Sequence, residues 1–476
     1  MTKPHRTTPS PAAPLAGRRR LLQGTGAWVG LAALSGSRGA RAQTGSAAAA
    51  DGPESPRLAL LIGNRDYPEG EDLPPIHKNV RDLRAVLEKR GFRVTDGLDL
   101  DLAQARAAVD AFAVQVRAAP PDATVLFYFS GHGAQVDAEN LLVSARTSPK
   151  ARPDNLMRAS LTLTAGVVGL LPRRPEGLTI AIIDACRTSL RDVSRGEGLN
   201  QVEAPPGCLI AFATGAGKPA IAPADDTRNT FYTASLVKLL ESSSDEISFS
   251  DLFRLVKYDV QNTMLNHPVP LLRQFAQFPF IAENTQVRRR LAPRAVAGAA
   301  AAAPVPPRFV DRSDEDDFSR LEAALWPPEV ARLASEYLQK HPKSRLAGSA
   351  QVAREGAAEA AQILRRNDVR LFRSAFELPP GSPKARVADL EKAARGDKDA
   401  AARLGRTYRS KDSAQGDVGR YEGWLQYAAA LGNGIASYEL ALHYRREGQP
   451  LLASQFETRA RELGYTPPPS LDNSRK

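Results

Sequence analysis

The sequence predicts an α/β domain with a mostly parallel sheet covered by helices, followed by an all-α repeat domain of the solenoid kind. Three observations predict it: apolar runs alternating with helical spacings over the first half of the chain, an Ala/Pro-rich break, and an internal repeat near the carboxyl end. At 476 residues the chain exceeds one hydrophobic core, so two or three domains are expected. Hydrophobic residues at 42% and charged residues at 25% exclude a wholly disordered or membrane-embedded chain.

The elements follow in order. Leu58-Ala59-Leu60-Leu61-Ile62 is a short apolar run ending at Gly63-Asn64, the pattern of a buried strand entering a loop. Val80, Leu83, Val86 and Leu87 have helical spacing that stops before Gly91. Strands then fit Phe92 to Val94, Val125 to Phe129 and Leu178 to Ile183, with helices at Leu102 to Val116 and Leu161 to Leu171. A further apolar run, Cys208 to Ala213, precedes helical patterns at Phe231 to Leu240 and Phe249 to Met264, and the domain closes near Phe280-Ile281. Residues 291–307 are almost all Ala, Pro, Val and Arg, which marks a linker.

Beyond the linker, a shift of 36 residues brings Ala400, Leu404 and Tyr408 onto Ala436, Leu440 and Tyr444, and Ala394-Arg395-Gly396 onto Ala430-Leu431-Gly432. With Trp424 and Tyr427-Ala428-Ala429, this segment resembles Sel1-like repeats, relatives of tetratricopeptide repeats that stack helix pairs. Residues 460–464 fit the start of a degenerate third unit. The resemblance implies a protein partner for the repeats; an inert helical extension is the alternative.

The amino-terminal segment reads as an export signal. Arg18-Arg19-Arg20-Leu21-Leu22 resembles a twin-arginine motif, residues 24–34 are apolar but too short to span a bilayer, and Ala40-Arg41-Ala42 is a small-x-small cleavage pattern. Cleavage after Ala42 predicts a periplasmic or secreted protein without stable membrane insertion; a basic tail is the alternative. Residues 1–42 hold seven Lys or Arg and no acid, so without them the net charge is +4 instead of +11. That value, with Arg288-Arg289-Arg290 as the longest remaining basic run, excludes nucleic-acid binding as the expected function. The expected organisation is a twin-arginine-type signal at 1–42, a leader at 43–56, the α/β domain at 57–286, a linker at 287–312, the helical domain at 313–466 and a tail at 467–476.

Two segments carry the chemistry. Phe127-Tyr128-Phe129-Ser130-Gly131-His132-Gly133 places a histidine between glycines directly after an apolar strand, and Thr179-Ile180-Ala181-Ile182-Ile183-Asp184-Ala185-Cys186-Arg187 places a cysteine after another. In open parallel sheets ligands bind at the carboxyl ends of strands, so both residues are delivered to that edge. A lone histidine or cysteine is usually structural, whereas two reactive types at equivalent strand ends point to catalysis. Cys186 and Cys208, the two cysteines of the chain, could instead form one disulfide in an oxidising compartment.

Ser130-Gly131-His132-Gly133 with Asp184-Ala185-Cys186-Arg187 resembles the paired signature of the caspase, paracaspase and metacaspase clan of cysteine peptidases, peptidase C14, in its bacterial metacaspase or orthocaspase form. The 54-residue separation is close to the roughly 50 found in caspases. Leu60 to Tyr67, Asn140-Leu141-Leu142 and Leu209 to Thr214 are similar to further strands of that family, so the likeness covers about residues 57–283. The resemblance implies a caspase-like three-layer sandwich acting on a protein or peptide substrate. It implies Cys186 as nucleophile, His132 as its proton partner, and backbone N–H groups of Gly133 and Cys186 as the oxyanion site. In that fold Cys186 and Cys208 lie nearly a strand length apart, too far for a disulfide, and Cys208 becomes a core residue.

Asp184 stands where metacaspases carry an aspartate facing a basic side chain, which implies cleavage after Arg or Lys with Ser130 helping to line the pocket. A second pocket aspartate of the family falls on Asn79. Val136-Asp137-Ala138-Glu139 does not provide the oxygen cage of calcium-dependent relatives, so neither calcium nor any cofactor is expected. Thr188-Ser189-Leu190 departs from the family's usual glycine or proline, and Arg191 and Arg195 are candidate self-cleavage sites. Gly215-Ala216-Gly217-Lys218-Pro219 resembles a phosphate loop but has Pro219 in place of the magnesium-binding hydroxyl, so no nucleotide is assigned. Two function classes therefore compete: a Cys–His endopeptidase, and a catalytically silent scaffold whose repeats mediate protein binding.

Overall fold

A computed structural model describes residues 55–136, 138–189, 200–215, 220–292, 313–409 and 416–467, without the side chains of 186–189. The expected signal peptide, nearly all of the leader, Asp137, Arg191, Arg195, residues 216–219, most of the linker and the tail after residue 467 lie outside the described residues. All described residues fall in one compact unit, Ala48–Lys476.

The α/β half contains strands β1 (Arg57–Gly63), β2 (Phe92–Leu98), β3 (Thr124–Val136), β4 (Glu139–Val143), β5 (Ser160–Thr162), β6 (Leu178–Ser189), β7 (Cys208–Phe212) and β8 (Phe280–Asn284). Its helices are α1 (Ile76–Lys89), α2 (Leu102–Ala118), α3 (Pro153–Ala159), α4 (Leu163–Gly166), α5 (Phe231–Ser242), α6 (Phe249–Leu265) and α7 (Pro270–Gln274). The sheet runs β2-β1-β3-β6-β7-β8, parallel through β7, with β8 antiparallel.

Both sheet faces are covered, which explains why the central strands read as unbroken apolar runs. Leu61, Leu126, Tyr128, Ile180 and Ile182 face α1, α5 and α6. Alternate residues Leu60, Phe127, Phe129, Ile183 and Ile210 face α2. The result is a three-layer α/β domain with a mostly parallel sheet, followed by many helices.

Three expectations need correction. The helix predicted over Leu161–Leu171 is broken into β5, α4 and a single 3-10 turn at Val168–Leu170. Thr162, Thr164, Val167 and Val168 are β-branched, Gly166 and Gly169 weaken helix, and Ser160–Thr162 instead pairs with the open edge of β4. The strand predicted to stop at Phe129 continues to Val136. β1 ends opposite Ser130, and from Gly133 onward β4 occupies the edge that β1 has left, so the backbone keeps a partner on that side. Residues 287–292, expected in the linker, belong to the α/β domain: Leu291 is buried, and the Leu291 and Ala292 N–H groups bond to Ile247 and Asp245.

The carboxyl half is helical: α8 (Ser313–Ala323), α9 (Pro327–Lys340), α10 (Ala347–Ile363), α11 (Lys384–Ala393), α12 (Lys398–Arg406), α13 (Val418–Ala430), α14 (Gly434–Arg446) and α15 (Pro450–Glu462). The 36-residue shift has a physical meaning here. Gly396 and Gly432, at φ +80° and +99°, end the turns after α11 and α13, and Asp397 and Asn433 then cap α12 and α14 by accepting from the Ala400 and Ala436 N–H groups. No helix among the described residues is long and apolar enough to cross a membrane.

Candidate active site

β3 and β6 run side by side beyond the point where β1 ends, and their register pairs Ser130 with Asp184, His132 with Cys186 and Gly133 with Arg187. Neighbouring strands lie about 4.8 Å apart, so the backbones of His132 and Cys186 are adjacent. Gly133 is flanked on its other side by Leu142 of β4.

The histidine is held on three sides. Tyr67 presses edge-on against its ring at a centroid distance of 4.5 Å. The Tyr67 hydroxyl accepts from the His132 backbone N–H at 3.1 Å and donates to the Val143 carbonyl. This needs glycine at 131, because a Cβ there would sit 2.6 Å from the Tyr67 hydroxyl oxygen. His132 Nε2 lies 2.8 Å from the Glu71 carbonyl oxygen. A carbonyl can only accept, so Nε2 carries the proton and Nδ1 of the neutral ring is left as the acceptor. Burial lowers the His132 pKa, against the opposing pull of that carbonyl and of the Glu71 carboxylate. Glu71 in turn pairs with Lys150, which holds its own pKa down.

The expected pocket residues converge on a second cluster. Asn79 from α1, Ser130 from β3 and Asp184 from β6 are all buried, and they meet around Thr230, the N-cap of α5. Asn79 Nδ2 donates to Ser130 Oγ at 3.2 Å and to Thr230 Oγ1 at 3.1 Å, while Asn79 Oδ1 accepts from the Thr230 N–H. Thr230 and Thr233 each donate a hydroxyl proton to Asp184 Oδ2, the latter at 2.6 Å. Since Thr233 has spent its only proton, Tyr128 must donate to it across their 2.7 Å contact. Burial raises the Asp184 pKa, partly offset by these hydroxyls, and no cation among the described residues pairs with it.

Sequence reading missed Glu71, Tyr67, Thr230 and Thr233. A backbone carbonyl leaves no signature, but Thr230 ahead of the apolar Phe231-Tyr232 pair was readable as an N-cap. Along the same sheet edge, the Ala213 N–H bonds to Ile183 O, and Gln277 donates to Ala213 O at 3.3 Å. Phe275 and Phe278, on either side of buried Gln277 in sequence, are exposed. The disulfide alternative fails on register: Cys208 lies opposite Thr179, seven residues before Cys186, or about 23 Å along a strand. Cys208 is free and buried, and burial pushes its thiol up to about 11.

Residues 56–290 match the family model of the caspase domain, peptidase C14. In fold, these residues form a caspase-like α/β domain. The same chain is 29% identical over 133 residues to human mucosa-associated lymphoid tissue lymphoma translocation protein 1, covering 28% of this chain and 15% of the relative. It is 29% identical over 147 residues to the mouse homolog, covering 30% and 16%. The chain thus spans less than a fifth of the length of these relatives. A crystal structure of caspase-1 from Spodoptera frugiperda aligns with 17% identity and a TM-score of 0.38, over 50% of this chain and 93% of that one.

Proposed function

We propose that the caspase-like domain is an endopeptidase that cleaves after Arg or Lys with a dyad of Cys186 and His132. The observation that carries the reading is the cross-strand register of these two residues beside a histidine whose Nε2 is already engaged. In the proposed reaction the Cys186 sulfur gives up its proton to His132 Nδ1 and bonds to the scissile carbonyl carbon. His132 then returns the proton to the departing amine, leaving a thioester that water hydrolyses. The Glu71 carbonyl keeps the ring oriented and stabilises the imidazolium form during transfer. Backbone N–H groups of Gly133 and Cys186 take the oxyanion.

The basic preference rests on Asp184. A buried carboxylate whose partners among the described residues are neutral hydroxyls is costly to ionise, and an incoming guanidinium or ammonium would supply the missing charge. Ser130 and Asn79 connect through Thr230 to the same carboxylate and complete the proposed pocket. We further propose export to the periplasm or beyond, and Sel1-like repeats that bind a protein partner. No metal-binding group of three or more His, Cys, Asp or Glu occurs among the described residues.

The deciding experiment is hydrolysis of Arg-, Lys- and Asp-ended fluorogenic peptides by the wild type and by Cys186→Ala, with and without calcium. Cleavage of the first two that falls by at least about 10³-fold in the variant supports the reading. Equal inactivity of both proteins on all peptides returns the domain to the silent-scaffold reading.

A further inference from the structure

The end of the helical domain grips the hairpin that carries His132. Two buried side chains make the grip, Asn200 and Gln201, which stand between β6 and β7. Toward the α/β domain, the Asn200 N–H donates to Asn140 Oδ1 at 2.8 Å, Asn140 Nδ2 returns a bond to the Asn200 carbonyl, and Asn200 Nδ2 donates to the Ala138 carbonyl. Ala138 and Asn140 belong to the β3–β4 hairpin, and β3 is the strand of His132 and Gly133. Toward the helical domain, the same Asn200 amide donates to the Thr466 carbonyl at 3.1 Å and accepts from the Thr466 N–H at 2.8 Å. Gln135, three residues after His132, also donates to the Thr466 hydroxyl at 3.3 Å.

Gln201 serves groups that helices leave unpaired at their ends. Its Nε2 donates to the Gly432 carbonyl after α13 and to the Leu463 carbonyl after α15, at 3.1 and 2.8 Å. Its Oε1 accepts from the Gly434 N–H that opens α14, at 2.8 Å, and its own N–H donates to the Gly464 carbonyl. One glutamine thus closes three helix termini. Gly434 makes room for it, since a Cβ there would stand 2.9 Å from Tyr465 and 3.1 Å from Gln201 Oε1.

We propose that Asn200 and Gln201 are positioning residues of the peptidase centre, which lock the His132 hairpin to the carboxyl end of the helical repeats. The catalytic half of this statement rests on the proposed endopeptidase; the mechanical half does not. A second contact between the two halves, where Lys392 bonds Glu283 and Thr285 on the far edge of the sheet, serves as the control because it touches neither the hairpin nor residues 200–201.

The test uses the full chain with Asn200→Ala, Gln201→Ala, Gln201→Glu and Lys392→Met, read by hydrogen exchange and by steady-state kinetics. Gln201→Glu keeps an acceptor for Gly434 but loses both donors, so it is expected to act like Gln201→Ala even if Asn200→Ala folds poorly. The variants at 200 and 201 should speed exchange of the hairpin amides at 133–143 by about tenfold or more, while Lys392→Met leaves them unchanged. They should lower kcat by about tenfold to a hundredfold with KM within about twofold, because a histidine displaced by a fraction of an ångström loses rate before binding. Unchanged hairpin exchange, equal effects from Lys392→Met, or faster exchange with unaltered kcat would overturn the proposal. If the wild type cleaves nothing, the endopeptidase reading fails, and the exchange result alone decides whether the hairpin is locked.

Discussion

Asp184 and Glu283 are both buried carboxylates on strands of one sheet, and the protein handles their charge in opposite ways. Glu283, on edge strand β8, would have its pKa raised by burial, but Lys392 and Arg254 outweigh that and hold it well below the usual range. Arg403 adds a bond to its backbone carbonyl, and Asp399 accepts from its N–H. Asp184, beside Cys186 on the inner strand β6, has hydroxyls where Glu283 has cations, and burial raises its pKa. A carboxylate whose counter-charges are built in serves docking of one domain on another. One left with neutral donors at the carboxyl edge of a sheet suits a charge that arrives with a ligand.

The comparison can be broken by exchanging charge for neutrality at each site. Asp184→Asn should cut kcat/KM for Arg- and Lys-ended peptides by about 10²-fold or more, the cost of losing a buried charge partner. Its stability should move the other way. Folding raises the Asp184 pKa, so the folded state holds that proton more tightly, and stability falls as pH rises from the unfolded value near 4 up through the folded one. Asp184→Asn removes that fall and should melt at or above the wild-type temperature at pH 7. An unchanged preference for basic peptides would remove Asp184 from the pocket.

Glu283→Gln should do the reverse: about 3 kcal/mol of stability lost, since Lys392 and Arg254 lose their shared buried carboxylate and keep only Thr285 and Asp397, with kcat of the folded protein unaltered. Denaturant unfolding with activity measured alongside separates the two effects.

A smaller effect sharpens the histidine's part. Burial lowers the His132 pKa, so the acid limb of kcat/KM should have its midpoint below about 6.5. The sign for stability agrees, because a folded state that binds the proton less well loses stability as pH drops from the unfolded value through the folded one. A midpoint clearly above 6.5 would show that the ring is not held neutral by its surroundings. Smallest of all, Cys208→Ala should cost at most about 2 kcal/mol and leave activity unchanged, and iodoacetamide at pH 7 should label the folded chain at Cys186 alone, since the Cys208 thiol is pushed up to about 11.

How far the sequence could be read depended on whether the cause was local. The alternation of apolar runs with helical spacings placed β1, α1, α2, β7, α5 and α6 within a few residues, because burial on one stripe or both faces imprints a period on the chain. The segment at 161–171 failed for the converse reason: its apolar content fits a helix, and only the open edge of β4, about twenty residues upstream, draws Ser160–Thr162 into a strand. Likewise the three residues expected to line a pocket do meet, but the hydroxyls of Thr230 and Thr233 that bind them together come from a helix start some fifty residues beyond Asp184.

The chain's own pattern settled which residue types stand at the ends of β3 and β6, that the sheet is mostly parallel and covered by helices, and that glycine turns recur 36 residues apart in the helical half. These follow from spacing and from side-chain chemistry acting within a few residues. Tertiary structure alone decided that the Glu71 carbonyl orients His132, that Asp184 meets no cation among the described residues while Glu283 has two, and that Asn200 and Gln201 join the His132 hairpin to Thr466 and Gly432. Backbone carbonyls are present at every residue, and partners hundreds of positions apart share no period, so such bonds become legible only when the fold brings their atoms together.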